Sequence, residues 1–312
     1  MSAAGGRRFS FPLCFFKPFL YCDFRSDLQQ LVTGISVGGI YALLATGYSL
    51  IYSLLDFSNW AHGEFAMVSA YIAIVLSSFM GMPFVLAAVG GMAGGALVSF
   101  LCERFAYRRI RRNGAPNMFL MIAAMGLSNV FQQAANLIFS GQYRSYPFKL
   151  PVSTIKVASA YIGVLDLVSL AITAVIITIL VYLINKTQFG LNVRAIACNA
   201  HAAKVLGVKV DRCIATVFVL AGALAGVAGV LYGMKYNVFP TMGNVGLKAF
   251  IASVIGGLGS VPGAIVGAII LGVIETFVSA FLSSSLRDFA LLIVLLLVKP
   301  SGLFGVDVQD KA

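Results

Sequence analysis

The sequence predicts an all-α fold: a polytopic bundle of about eight or nine transmembrane helices, some of them broken or re-entrant. Three observations predict it. Of the 312 residues, 60% are hydrophobic and only 11% are charged, where a soluble domain carries about 25% charge. Mean hydropathy is +0.94. Apolar runs of roughly span length recur along the whole chain, with short connections between them. A chain this apolar cannot fold as a soluble enzyme, and its length leaves no room for a separate soluble domain.

Residues 1–27 form a leader with Arg7, Arg8, Lys17 and Arg25 and an aromatic patch at 9–16. The patch is too short to span. Arg7-Arg8 lacks the apolar core and small-residue cleavage site of an export signal. A poorly ordered or interfacial leader is expected. Apolar segments follow at 28–55, 60–80, 83–103, 117–139, 161–185, 213–236, 246–259, 261–283 and 286–299. The segment 246–259 is short for a straight span and reads as a short helix, a re-entrant element or half of a hairpin with 261–283. Residues 307–312 are a C-terminal tail after a membrane domain at 28–306.

Orientation comes from the basic loops. The loop 104–112 holds Arg104, Arg108, Arg109, Arg111 and Arg112, and the loop 186–212 holds Lys186, Arg194, Lys204, Lys209 and Arg212. Two spans separate them, so both lie on one side, the cytoplasm by the positive-inside rule. Residue 28 is then outside, against the pull of the basic leader, and nine spans bring Lys299 and the C-terminus inside. The net charge of +11 is therefore a topology signal rather than a nucleic-acid footprint. The five cysteines (Cys14, Cys22, Cys102, Cys198, Cys213) have no metal spacing and read as space-fillers.

Small residues mark close helix packing. Gly259, Gly263 and Gly267 recur every four residues, with Ala264, Ala268 and Gly272 on the adjacent face; Gly222 with Gly226 and Gly90 with Gly94 repeat the spacing. In lipid, close backbone approach supplies contact that no hydrophobic effect provides.

Four features carry chemistry. Asp56-Phe-Ser-Asn-Trp-Ala-His62-Gly-Glu64 puts ionisable groups and Asn59 between two nearly abutting apolar segments. Ser58 or Asn59 can cap the following helix and Glu64 favours its positive end. Such a broken helix either aims backbone N–H groups at an anionic ligand or is an ordinary interfacial turn. Gly256-Gly-Leu-Gly-Ser-Val-Pro262-Gly263, with Lys248 upstream, is a hinge, a cavity lining or a tight loop. No Gly-Lys-Ser/Thr follows it or occurs elsewhere, so the chain shows no ATP site of its own. In the basic loop, Val193, Ile196, Ala197 and Ala200, then Ala202, Val205 and Leu206, have helical spacing. Two short amphipathic helices are expected there, the second stopped by Gly207, either lying on the membrane or docking a soluble partner. Glu275 lies inside a span, as a proton or substrate site or as a paired structural acid. His201 is a lone surface histidine.

Several ordered blocks resemble a known family. They are Tyr41-Ala-Leu-Leu-Ala-Thr-Gly-Tyr-Ser-Leu-Ile-Tyr with Asn59-Trp-Ala-His-Gly-Glu-Phe, Arg194-Ala and Ala203-Lys-Val-Leu-Gly-Val, and Ala221-Gly-Ala-Leu-Ala-Gly-Val-Ala-Gly-Val-Leu. Pro240-Thr-Met-Gly, Gly246-Leu-Lys-Ala-Phe, Gly256-Gly-Leu-Gly-Ser-Val-Pro-Gly-Ala and Lys299-Pro-Ser-Gly-Leu-Phe-Gly complete the set. Over about 28–306 the chain resembles bacterial branched-chain amino acid ABC permeases of the LivH type.

The resemblance implies a multi-pass permease subunit in the bacterial inner membrane, with no catalytic or metal site. Its implied partners are a second permease (LivM-like or a homodimer mate), two cytoplasmic ATPases that use the ATP, and an extracytoplasmic binding protein. It implies that Asn59, His62, Glu64, Thr241, Gly256, Gly257 and Gly259 shape the path or its broken helix. It implies that Arg194, Ala202, Ala203, Leu206 and Gly207 belong to a cytoplasmic coupling helix. Family members usually carry an acid ahead of the alanine pair, where Asn199 and His201 stand here. Urea, short amides or other amino acids are alternative cargoes. An ion-coupled secondary transporter using Glu64 and Glu275 is a rival from another class. An intramembrane enzyme would need paired metal histidines or a Ser/His/Asp set that the sequence does not display.

Overall fold

A computed structural model describes residues 24–148, 154–157 and 160–281. It is a helical bundle built around one helix, α1 (Phe24–Leu55). Residues 36–51 of α1 are buried on every side, as expected of a helix that is apolar all round. The helix starts at Phe24, inside the stretch read as leader, whose other residues lie outside the described ones.

Helices α2 (His62–Ile74) and α3 (Phe84–Cys102) follow. A π-helical turn, Val75–Phe79, extends α2; a second, Glu103–Tyr107, carries α3 straight into α4 (Arg108–Arg112). The arginine run read as a loop is thus the last turns of a helix. α5 (Asn117–Phe139) returns across the bundle and leads to a small antiparallel hairpin, β1 (Thr154–Val157) and β2 (Ala160–Gly163), with Ile155 opposite Ile162. The sequence reading did not anticipate this hairpin. α6 (Val164–Lys186) leads to the short helices α7 (Gln188–Cys198) and α8 (Ala200–Val205). α9 (Val210–Tyr236), α10 (Val245–Gly256) and α11 (Val261–Phe281) complete the described chain. Seven helices among the described residues are long and apolar enough to cross a membrane. α10 falls short of that length, and the segment 286–299 lies outside the described residues.

Glycine sets the closest crossings. A Cβ on Gly38 of α1 would stand 2.8 Å from Ile269 Cα and 2.9 Å from the Ala268 carbonyl of α11. A Cβ on Gly226 of α9 would stand 2.7 Å from Met92 Cα of α3. Gly263 and Gly267 pack on Gly256 and Ala252 of α10. Gly259 departs from the helix-face pattern: its φ of +85° places it in the turn ahead of α11. Several polar groups in the spans are paired internally. Ser99 Oγ of α3 donates to the Phe218 carbonyl of α9 at 2.7 Å. Lys235 of α9 pairs with Asp166 of α6, and Lys248 Nζ of α10 lies 2.6 Å from Glu275 Oε1 of α11. Glu275 is therefore a paired acid.

Candidate functional site: a broken helix at mid-membrane and a basic arm

The α1–α2 break is made by the chain itself. Asp56 takes φ +49°, a left-handed conformation that a short polar side chain tolerates better than most. Asn59 is buried, and its Oδ1 accepts from the Ala61 N–H at 3.2 Å and from Tyr107 Oη at 2.8 Å. The N-cap position of α2 falls on Ala61, whose side chain caps nothing, so neither Ser58 nor Asn59 stands at the cap as expected, although Asn59 Oδ1 takes up the Ala61 N–H. Asn59 also ties the turn to Tyr107, the last residue of the π-helical turn after α3. His62 packs edge-on to Tyr48, and a Cβ on Gly47 would sit 2.5 Å from its Nε2.

A second break meets the first. After α9 the chain turns back through Asn237 (φ +67°). Val238 bridges to Arg144, each N–H donating to the other's carbonyl at 2.8 Å. A 3-10 turn, Pro240–Asn244, then starts α10. The turn lies against the start of α2: a Cβ on Gly63 would be 2.9 Å from Gly246 Cα, and one on Gly246 would be 3.1 Å from Tyr48 Oη. The Glu64 carboxylate covers Gly243 and accepts from Ser128 Oγ of α5 at 3.2 Å. Ser128 is at the middle of the 23-residue α5, so the Glu64–Gly243 contact sits near the middle of that helix, while Asn59 lies beside Tyr107, just ahead of the arginine run. Thr241, in the 3-10 turn, is exposed.

The first three atoms that a Gly243 Cβ would meet all belong to the Glu64 carboxylate. Gly243→Ala is accordingly expected to cost about 1–3 kcal/mol by overpacking. Glu64→Ala in the same chain should return most of it, a coupling readable from thermal midpoints of the detergent-purified single and double variants. Additive losses would mean that the carboxylate does not rest on Gly243.

Gly256, Gly257 and Gly259 are not part of this cluster. They make the turn from α10 to α11, with φ values of +105° at Gly257 and +85° at Gly259, beside Tyr52 and Ser53 near the end of α1. The twelve residues of α10, about 18 Å of helix, separate the two places.

The basic arm forms two helices, as the spacing predicts. Thr187 opens α7 by accepting from the Gly190 N–H at 3.4 Å. Asn199 caps α8, its Oδ1 accepting from the N–H groups of His201 and Ala202, both at 3.0 Å. Asn and Asp serve about equally in this role, so Asn199 does locally what an acid there would do. Val193, Ile196 and Ala203 are buried in the core cluster that contains the C-terminal end of α1. Arg194 donates to the Ile184 carbonyl at 3.2 Å and is otherwise exposed. Ala202 is exposed, and at the tip Val205 and Leu206 are 76% and 83% exposed. Gly207 ends the arm at φ +88°.

Asp211 locks this arm to the other basic segment. It accepts from Arg108 at 2.8 Å, Arg111 at 2.9 Å and Arg112 at 3.1 Å, and Arg111 also reaches the buried Glu103 at 3.3 Å. Both arginine-rich stretches therefore lie on one face. A shared carboxylate among several guanidinium groups holds better than an isolated surface pair. Sequence reasoning missed Asp211, Tyr107 and Ser128. For Asp211 the signal was its position as a lone acid in a basic loop; for the other two, none pointed to the pairing.

The family model described as "Branched-chain amino acid transport system / permease component" matches residues 30–299. The permease protein BraD of the high-affinity branched-chain amino acid transport system of Pseudomonas aeruginosa is 36% identical over 301 residues, covering 91% of this chain and 97% of that one. LivH of the corresponding Escherichia coli K12 system is 35% identical over 311 residues, with the same coverage. A probable LivH of Methanocaldococcus jannaschii is 29% identical, covering 88% of this chain and 91% of that one.

Proposed function

The chain belongs to the family of permease components of branched-chain amino acid transport systems, and from that premise we propose how it carries cargo and what drives it. It is a multi-pass permease subunit of the bacterial inner membrane. Its cargo is an aliphatic branched-chain amino acid, the class named for its relatives. A second permease subunit pairs with it, two ATPases dock on its arginine-rich face, and an extracytoplasmic protein delivers the solute. The hydrolytic site lies on the ATPases.

One observation carries the coupling. Val205 and Leu206, two large apolar side chains, project from the end of α8, which is rooted in the core by its own Ala203 and follows α7, rooted through Val193 and Ile196. The tip lies in a stretch with Lys204, Lys209 and Arg212, the charge bias that favours a cytoplasmic side. Apolar side chains held out in water on a braced stem suit insertion into a groove of a soluble partner. ATP-driven closure of the ATPases then moves the arm, and the arm moves α1, α6 and α9, on which α7 packs. Alternating access follows from rocking of these helices against the second subunit.

The test is uptake by a strain lacking this chain and by the same strain complemented. Leucine, isoleucine and valine uptake should fall at least tenfold in the deletion and return with the wild-type chain. Unchanged uptake of these three, with loss of urea, a short amide or another amino acid, would assign the cargo to that solute instead.

A further inference from the structure

One cation at the outer end of the bundle has no anion. With the arginine-rich stretches on the cytoplasmic side, α5 ends at Phe139 on the opposite side. Arg144 stands shortly beyond that end, a positive charge where the topology rule does not favour one. Its backbone is fixed by the bridge to Val238. Its side chain is not matched: among the described residues no carboxylate lies within ion-pair distance of it, and its Nε is buried with no hydrogen-bond partner. The guanidinium lies over Phe139, 5.2 Å from the ring centroid. Tyr71 of α2 stacks on the same ring at 4.1 Å. Tyr71 is 3% exposed, and its hydroxyl also has no hydrogen-bond partner among the described residues. Two donors without acceptors therefore gather around one aromatic ring.

The Tyr71 and Phe139 rings also line a groove. It runs between α2, with its π-helical turn, and the outer half of α5, and holds about 310 Å³. Apart from Tyr71 every lining residue is apolar. About ten groups the size of a water molecule fill such a volume, a segment of hydrocarbon chain rather than one leucine side chain. Ile138 of the groove is 70% exposed. By helical spacing, it and Ala134 lie toward Val130 and Leu137, the exposed apolar edge of α5, and away from Gln132 and Asn136. The groove therefore opens on the apolar side of the helix.

The structure assigns this groove to a phospholipid of the extracytoplasmic leaflet, with one acyl chain between α2 and α5 and the phosphate accepting from Arg144 and Tyr71. Each half of the site accounts for the other. An arginine at headgroup depth finds its anion in a lipid phosphate, through a charge-assisted hydrogen bond. A tyrosine at the interface finds there the acceptor that its buried hydroxyl lacks. An empty groove would forfeit dispersion contact along both walls, and a hydrocarbon chain restores it. The inference is independent of the cargo and of the motor.

Photolabelling tests the site. The complete transporter is reconstituted in vesicles of phosphatidylethanolamine and phosphatidylglycerol, doped with a phosphatidylglycerol that carries a diazirine on one acyl chain. Adducts are mapped by mass spectrometry of proteolytic peptides and should concentrate on 68–76 and 131–139. Arg144→Gln should lower that labelling about tenfold, the loss of one charge-assisted contact, and Arg144→Lys should keep most of it. Ala134→Trp fills the groove, leaves Arg144 in place and should lower the labelling as far; it carries the test if Arg144→Gln does not accumulate. Adducts at Val175, exposed on α6, measure contact with bulk lipid and should not change in any variant. Labelling of the groove no higher than at Val175, or equal in wild type and Arg144→Gln, would overturn the site. Equal labelling by a diacylglycerol with the same diazirine and no phosphate would reduce it to passing hydrocarbon and overturn the headgroup contact. Loss of the adducts on addition of leucine would make the groove a solute site and overturn the lipid.

Discussion

Gly38→Leu should leave little of the protein in the membrane, at least tenfold less than wild type on an immunoblot of the membrane fraction. A Cβ there already meets Ile269 Cα at 2.8 Å and the Ala268 carbonyl at 2.9 Å. Both are backbone atoms, so no side chain can swing aside. The partner position repeats the constraint: a Cβ on Gly272 would run into Gly38 Cα and N. Separating α1 from α11 also loosens α1 from the rest of the bundle, because α1 is the helix on which α6, α9 and α10 also pack. In lipid there is no hydrophobic effect to pull the helices back together, so lost van der Waals contact is not recovered. Gly126→Leu is the matched control. It makes the same change in another span, where a Cβ meets nothing within 4 Å, and it should accumulate normally. Equal accumulation of both variants would remove close α1–α11 packing as the basis of the fold.

Leu206→Asp is expected to separate folding from transport. The side chain is 83% exposed, so the bundle loses almost nothing and the variant should reach the membrane at the wild-type level. If Leu206 fills a groove on an ATPase, the substitution forfeits an interface anchor of about 2 kcal/mol or more and leaves a carboxylate in an apolar contact. Binding of the ATPase should weaken by about 30-fold, with leucine uptake falling in step. Gly207→Val reaches the same end by another route. At φ +88° a β-branched residue is strongly strained, so the end of the arm must change conformation while nothing around it is crowded, since a Cβ there meets no atom within 4 Å. ATP hydrolysis by the assembled importer should persist while uptake is lost. Normal coupled transport in Gly207→Val would refute the role of this turn.

The reach of the sequence differs from element to element for physical reasons. Apolar runs of membrane length marked most spans to within a few residues, because hydrocarbon thickness fixes them. The arm was legible as two helices stopped at Gly207, because helical spacing and a positive-φ glycine are local properties. Asn199 shows the limit of a motif: it differs from the family's usual acid, yet the helix cap it supplies is one that either residue makes. The arginine run 108–112 looked like a loop because charge usually ends a span. It stays helical because Asp211, about a hundred residues later, gathers three of the guanidinium groups. The resemblance groups Gly256 and Gly257 with His62 as shaping one path or broken helix. Only the length of α10 separates them, and no local signal says that α10 starts, rather than ends, at the mid-membrane break.

The coupling of a basic, core-rooted arm to an external motor is the claim on which the rest depends. It is tested most directly by reconstituting this chain with its second subunit, the two ATPases and the binding protein in liposomes, with leucine outside and ATP on the side of Leu206. Leucine should accumulate only while ATP is hydrolysed, and the same preparation carrying Leu206→Asp should neither hold the ATPases nor accumulate leucine. Accumulation that continues in Leu206→Asp, or that this chain alone sustains from an ion gradient without ATP, would contradict the account.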